Sequence, residues 1–203
     1  GLFEVESFRK RILSLPHKRK SVVAGNHELT FDSSLFTEKF AELKERFPSL
    51  KKADWSSIKS LISDEKELIY LENSGVEVAG LSFWGSPYQP KFYFWGFQKG
   101  REKMHEIWDQ IPSTTGILIT HGPPLGILDG CEANRSGCEA LKLAVSERVR
   151  PGLHIFGHVH SGRGHVKIGE TLFVNAAICD DAYNPENPAI VVEVDLKTKT
   201  FSV

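Results

Sequence analysis

Apolar residues recur at two different periods along this chain. Val5, Phe8, Ile12 and Leu15 are spaced three or four apart, the stripe of an amphipathic helix, and Pro16 stops it. Phe36, Phe40, Leu43 and Phe47 repeat that spacing up to Pro48, and Asp54 stands as N-cap to a short helix through Trp55, Ile58 and Ile62. Met104, Ile107, Trp108 and Ile111 predict a helix over 101–110; Cys138, Leu141, Val145 and Val149 predict another, stopped by Pro151-Gly152. Between these lie short, continuous apolar runs with no helical period, at 21–24, 116–120 and 153–156. Such runs predict buried strands. Residues 67–71 and 76–84 flank Asn73-Ser74-Gly75 and predict a hairpin, while 85–100 and 125–137 read as loops. After His160 only strands are expected, at 166–168, 171–177, 189–196 and 201–203.

Buried strands alternating with helices, then hairpins, predict one α/β domain over 1–203 with either a single mixed sheet or two stacked sheets. No internal repeat or linker interrupts the chain, and 203 residues are enough to bury a sizeable core.

Composition narrows the function classes. Lys plus Arg is 25 against 26 for Asp plus Glu, a net charge of −1, which argues against a nucleic-acid polymer or a membrane surface as partner. No apolar run approaches the roughly 18 residues of a transmembrane span, and a cytoplasmic location is the default expectation. Three cysteines (Cys131, Cys138 and Cys179) are too few for a disulfide scaffold and too far apart for a zinc knuckle, so they are expected to be free thiols, with Cys179 a small buried apolar side chain.

The chemistry lies where the buried strands stop. Each of the three ends in a polar cluster with histidine: Gly25-Asn26-His27-Glu28, Thr120-His121-Gly122 and Gly157-His158-Val159-His160. Ligands of open α/β sheets collect at the carboxyl ends of strands, so parallel neighbours would bring one Asn and four His to one edge. Neutral imidazole and amide oxygen together suit Mn, Fe, Zn or Co better than Mg or Ca. On extended chain, His158 and His160 would point to opposite sides of the backbone, one to each of two metals. The glycines are expected to allow sharp turns and close approach to bound ions. One such cluster is weak evidence; three, each directly after a buried strand, are hard to attribute to chance.

The strings AGNHELTFD, THGPPLG and HIFGHVHSG resemble the last three motifs of the calcineurin-like metallophosphoesterases, in particular the MPPED-type (metallophosphoesterase-domain, brain-type) subgroup. The resemblance runs through nearly the whole chain and is weakest after about Cys179. It implies a β-sandwich of two mixed sheets flanked by helices, and hydrolysis of phosphoesters at a site of two divalent metals whose activated water attacks phosphorus. It implies a phosphodiesterase with nucleotide or cyclic-nucleotide substrates. By motif position, Asn26, His121 and His158 would ligate one metal and His160 the other. His27 would face the phosphate and stabilise charge or protonate the leaving oxygen, oriented by Glu28.

The family's two earlier motifs, Asp-x-His and Gly-Asp, are absent from these 203 residues. The resemblance therefore implies that the sequence starts just after the second motif, without the N-terminal strands, and holds one metal or none with weak activity. The alternative is a non-catalytic short form that binds nucleotide or a protein partner. Aromatics crowded between Phe83 and Phe97 offer either a wall for a nucleobase or simple self-packing of a loop. Lys18-Arg19-Lys20 and Arg9-Lys10-Arg11 read as solvated charge; Arg163 is a candidate phosphate contact; His154 reads as a core group; His17, His105 and His165 read as surface residues.

Overall fold

The computed structural model describes residues 1–48, 54–130 and 136–203; Cys131 and the side chains of Asp54 and Trp55 lie outside that set. The amphipathic stripe near the start forms α1 (Leu2–Leu13). The first apolar run becomes β1 (Lys20–Val22). The single helix expected through Phe36 and Phe47 is two, α2 (Ser33–Glu38) and α3 (Phe40–Arg46), broken where Lys39 leaves helical geometry at φ −125° and ψ 24°. Asp32 decides that start. One of its carboxylate oxygens caps Leu35 N–H at 3.0 Å, and the other accepts from Phe97 N–H at 2.6 Å, a buried tie across the chain. Helix α4 (Asp54–Ser63) follows.

The hairpin is not where the turn residues placed it. Strand β2 (Leu68–Tyr70) pairs in parallel with β1, in a separate two-stranded sheet. The hairpin lies one step on, between β3 (Ser74–Val78) and β4 (Leu81–Ser86). Its two loop residues, Ala79 and Gly80, both have positive φ (52° and 76°), the backbone twist that a tight antiparallel turn requires. Asn73 instead lies in the connection from one sheet to the other, and Ser74 and Gly75 open β3.

The expected loop after β4 contains a short parallel pair, β5 (Gln89–Pro90) and β6 (Gln98–Lys99). Then come a 3₁₀ turn and α5 (His105–Trp108), β7 (Ile117–Thr120), α6 (Glu139–Leu143) continuing into a π-helical turn, and β8 (Leu153–Phe156). Strands β9 (Gly164–Ile168), β10 (Thr171–Asn175), β11 (Glu193–Asp195) and β12 (Thr200–Ser202) close the chain.

The main sheet has six strands in the order β3-β4-β7-β8-β10-β9. Its four inner strands are mutually parallel and its two edges antiparallel, so it is mixed, and helices flank it. Alternation along the inner strands splits their side chains between two cores. Leu118, Phe156 and Phe173 pack with Trp108 and Leu141 of α5 and α6. Ile117, Leu153, Leu172 and Val174 face the opposite way, toward Ile190, Val192 and Phe201 of the C-terminal segment. Burial on both faces explains why these strands lack alternation in sequence. A third core joins β1 and β2 to α1 and α4 through Ala24, Ile58, Ile62 and Leu68. Parallel pairing sets the C-terminal ends of β7 and β8 side by side, so His121 and His158 leave the sheet on one edge.

Candidate metal centre

Three chain segments meet at that edge. Asn26 arrives from β1, which belongs to the other sheet, and its Oδ1 lies 2.7 Å from His121 Nε2 at the end of β7. The His158 ring, after β8, sits 4.7 Å from the His121 ring, centroid to centroid. The amide oxygen only accepts, so His121 Nε2 carries the proton of this bond, and a cation at the same spot, with His158 beside it, would take that proton's place. Burial drives His121 down to about 3, helped by the neighbouring His158 and His27. Burial likewise drives His158 down to about 4, with His160 and His27 adding to it. Both imidazoles are therefore neutral near pH 7, the form that offers a lone pair to a cation.

His160 belongs to the cluster but turns differently. Its Nδ1 lies 2.7 Å from the Asp180 carbonyl, which can only accept, so Nδ1 carries the proton and Nε2 keeps its lone pair. Tyr183 packs edge-on against its ring at 5.0 Å. The chain at His158 and His160 is not extended, against the expectation. His158 has φ +68°, an uncommon backbone for a residue with a Cβ, and a 3₁₀ turn starts at His160. Such a conformation persists only where the surroundings hold it, and Asn175 does so. Its Nδ2 donates to Val159 O at 2.8 Å and Leu128 O at 3.0 Å, and its Oδ1 accepts from Ala177 N–H at 3.1 Å. Asn175 is fully buried as the last residue of β10, and a polar side chain ending an apolar strand is the sequence signal for it.

His27 stands on the same edge with its ring 4.2 Å from that of Trp95. Glu28 does not hold it as expected: the Glu28 carboxylate accepts from Gly25 N–H at 2.6 Å and closes the 25–28 turn. The longer glutamate arm reaches back to its own loop. Trp95 fills the positioning place instead, because its loop is stitched to the site through Gly96 N–H to Asn26 O at 2.9 Å. The aromatic segment is thus part of the site wall.

Only one of the three strand-end glycines is crowded. A Cβ on Gly25 would lie 2.6 Å from His121 Cε1, whereas one on Gly157 would find nothing nearer than Ala177 N at 4.0 Å. Arg163 donates to the Pro188 carbonyl and takes no part in the cluster. Cys179 is half-buried and lines the site cavity, against the expectation of a core position. His154 is fully buried and pairs with Thr120 Oγ1 at 2.9 Å. Thr120 Oγ1 in turn donates to Gly122 O at 2.8 Å, bracing the turn that carries His121. His17, His105 and His165 are exposed.

Asn26, His27, His121, His158 and His160 share a cavity of about 350 Å³, with Trp95 and Tyr183 on its walls. Among the described residues no group of three or more His, Cys, Asp or Glu side chains is placed to hold a metal ion by itself. The donors that do converge, two neutral imidazoles and an amide oxygen, fit a single borderline divalent cation with open positions. Among the described residues no helix is long and apolar enough to cross a membrane.

Comparison with known proteins places this geometry. The sequence pattern of the family described as calcineurin-like phosphoesterase matches residues 3–162. The metallophosphoesterase domain-containing protein 1 of Homo sapiens is 44% identical over 197 residues, covering 94% of this chain and 60% of its own length; the Mus musculus protein matches equally. A UPF0046 protein of Caenorhabditis elegans is 38% identical over 195 residues, covering 96% of this chain and 64% of its own length. The chain thus spans less than two thirds of the length of these relatives. A solved crystal structure with 18% identity shares the fold at a TM-score of 0.55, covering 87% of this chain and 63% of that chain.

Proposed function

This chain belongs to the calcineurin-like phosphoesterase family, and from that premise we propose that it acts as a metal-dependent phosphodiesterase on nucleotide-type substrates, cyclic nucleotides among them. The observation that carries the reading is the meeting of Asn26 Oδ1 and His121 Nε2 at 2.7 Å with the His158 ring beside them. Asn26, His121 and His158 would hold one divalent cation, and His160 would offer Nε2 to a second. The cations, when bound, supply positive charge that polarises the phosphoryl oxygens and acidifies water.

The remaining work falls to the chain's own residues. His27, packed at a tilt against Trp95 at the cavity wall, donates a hydrogen bond to a phosphoryl oxygen or a proton to the leaving oxygen. A positioned general acid of this kind contributes about 10²–10⁴-fold. Trp95 limits the imidazole's freedom, so the donor is already aimed when the substrate arrives. Asn175 and the Asp180 carbonyl hold the 158–160 turn and the His160 tautomer, and the buried His154–Thr120 pair holds the His121 turn. Burial keeps His121 and His158 unprotonated, so protons do not compete for their lone pairs near neutral pH. A small phosphodiester as partner, with neither a nucleic-acid polymer nor a membrane, suits the balanced charge of −1 and the size of the cavity.

The test is metal content measured alongside hydrolysis of bis-p-nitrophenyl phosphate by the intact protein with Mn²⁺. A His158→Ala variant should lose most of its metal and its activity together. Unchanged metal content in that variant would sink the site assignment.

A further inference from the structure

Between β10 and β11, residues 178–187 form a loop whose ends are tied together. Asn187 N–H donates to Ile178 O at 3.0 Å, and the Asn187 side-chain amide donates to Cys179 O at 3.2 Å and Ala177 O at 3.4 Å. A segment of this length with a closed neck is a compact Ω-type loop. Asp180 braces its interior. The Asp180 carboxylate accepts from Ala182 N–H and Asn184 N–H at 2.8 Å each and from Asn184 Nδ2 at 3.1 Å. Its N–H donates to Asn184 O at 2.9 Å, and its carbonyl accepts from Tyr183 N–H at 3.0 Å.

Ties to the rest of the chain are few. No residue of 178–187 belongs to the three cores, and 181–186 are exposed without a break. Among the described residues, 180–186 make a single hydrogen bond to the chain outside the loop, from His160 Nδ1 to the Asp180 carbonyl at 2.7 Å. Beside it the ring of Tyr183, a residue 71% exposed, packs edge-on against the same imidazole at 5.0 Å. The loop also walls the cleft. Ile178, Cys179 and Tyr183 line the cavity that holds the histidines, and Asp181 and Tyr183 line a neighbouring cavity of about 400 Å³.

We propose that 178–187 is a rigid lid over the histidine cluster, hinged at its Asn187 neck and latched to the body by His160. A segment with few buried apolar contacts opens at much lower free energy than the sheet that carries it. Because the Asp180 bonds stay inside the loop, the lid swings as one body and does not unravel. Closed, it walls both cavities and supplies the carbonyl that holds the His160 ring. Open, it uncovers the cluster and frees that ring. The lid therefore couples access to the cleft with the orientation of one of its histidines. This goes beyond the phosphoesterase reading and holds whichever ligand enters.

Cys179, half-buried at the neck on the cavity side, reports the opening. The intact protein is alkylated with iodoacetamide, without added metal or ligand, and each cysteine is followed by peptide mass spectrometry. Tyr183→Ala removes the ring contact on His160 and none of the bonds inside the loop. It should speed Cys179 alkylation about two- to tenfold, the equilibrium shift that one aromatic contact is worth. Hydrogen exchange of the Ala182 and Asn184 amides, read by NMR, should not change, because the loop keeps its own bonds. Cys138, only 3% exposed, should stay unreactive. Asn187→Ala opens the neck and should speed both Cys179 alkylation and amide exchange. Unchanged Cys179 reactivity in Tyr183→Ala, amide exchange rising in step with it, reaction of Cys138 at the same rate, or wild-type behaviour of Asn187→Ala would each overturn the proposal.

Discussion

Replacing Gly25 by alanine tests whether the metal donors are preset by packing. The added Cβ would meet His121 Cε1 at 2.6 Å, His121 Nδ1 at 2.8 Å and Glu28 Oε2 at 3.2 Å. Restoring an ordinary contact of 3.4 Å from 2.6 Å requires the imidazole to retreat by about 0.8 Å. Metal–ligand distances tolerate only about ±0.2 Å, so a ring displaced by that much no longer shares a cation with Asn26 and His158. Loss of a group that orients a ligand typically costs about 10–100-fold in metal affinity, and the variant should fall at the upper end of that range or beyond. Overpacking of the buried ring should also cost about 1–3 kcal/mol, which lowers the melting temperature by about 2–4 °C per kcal/mol in a chain this size. The control is Gly157→Ala, at an equivalent strand end, where the nearest atom is 4.0 Å away and Gly157 is not among the glycines with positive φ. It should bind metal and melt as the wild type does. Mn²⁺ titration by calorimetry and thermal unfolding read both quantities. Wild-type metal affinity in Gly25→Ala, or equal damage from both substitutions, would refute the packing argument.

Other outcomes follow from the same geometry. Asn175→Ala removes the partners of Val159 O, Leu128 O and Ala177 N–H, and at about 1–3 kcal/mol for each orphaned buried group it should destabilise the fold by roughly 3 kcal/mol or more and lower metal occupancy, read by thermal unfolding and elemental analysis. His154 is pushed by burial from 6.5 down to about 3, so the unfolded chain takes up a proton between those values and the folded chain does not. Its contribution is full above pH 6.5 and is lost as pH falls toward 3, about 2 kcal/mol by pH 5. The pH dependence of urea unfolding should therefore be shallower by about one proton in His154→Leu; an unchanged slope would contradict this. Trp95→Ala frees the His27 ring and should lower kcat more than it raises KM for an aryl phosphodiester, whereas a pure KM effect would make Trp95 a binding surface only.

Local sequence determined a good deal. The buried strands were legible because runs such as 116–120 and 153–156 are apolar on both faces, and a strand covered on both faces needs no alternation. The meeting of Asn26, His121 and His158 was legible because each directly follows such a run, and pairing β7 with β8 in parallel carries that linear order into space. What failed depended on partners distant in sequence. The hairpin was misplaced because Asn73-Ser74-Gly75 has turn chemistry, while pairing of β2 with β1 fixed the tight turn at Ala79-Gly80. The start of α2 is set by Asp32, which is shared between Leu35 N–H and the N–H of Phe97, 65 residues further along the chain. Glu28 was assigned to His27 by analogy of position, but an arm one methylene longer than aspartate closes its own turn instead.

The sequence by itself therefore determined most of the strands and helices and the order in which the candidate donors follow the strands, because periodicity and strand-end composition are properties of neighbours along the chain. The tertiary structure alone decided how those side chains are held: Gly25 against the His121 ring, Asn175 across the 158–160 turn, and the Asp180 carbonyl on His160. Each is a contact between segments that meet only after the sheet has formed, and its energy depends on close packing and hydrogen-bond geometry, which no local pattern of residues encodes.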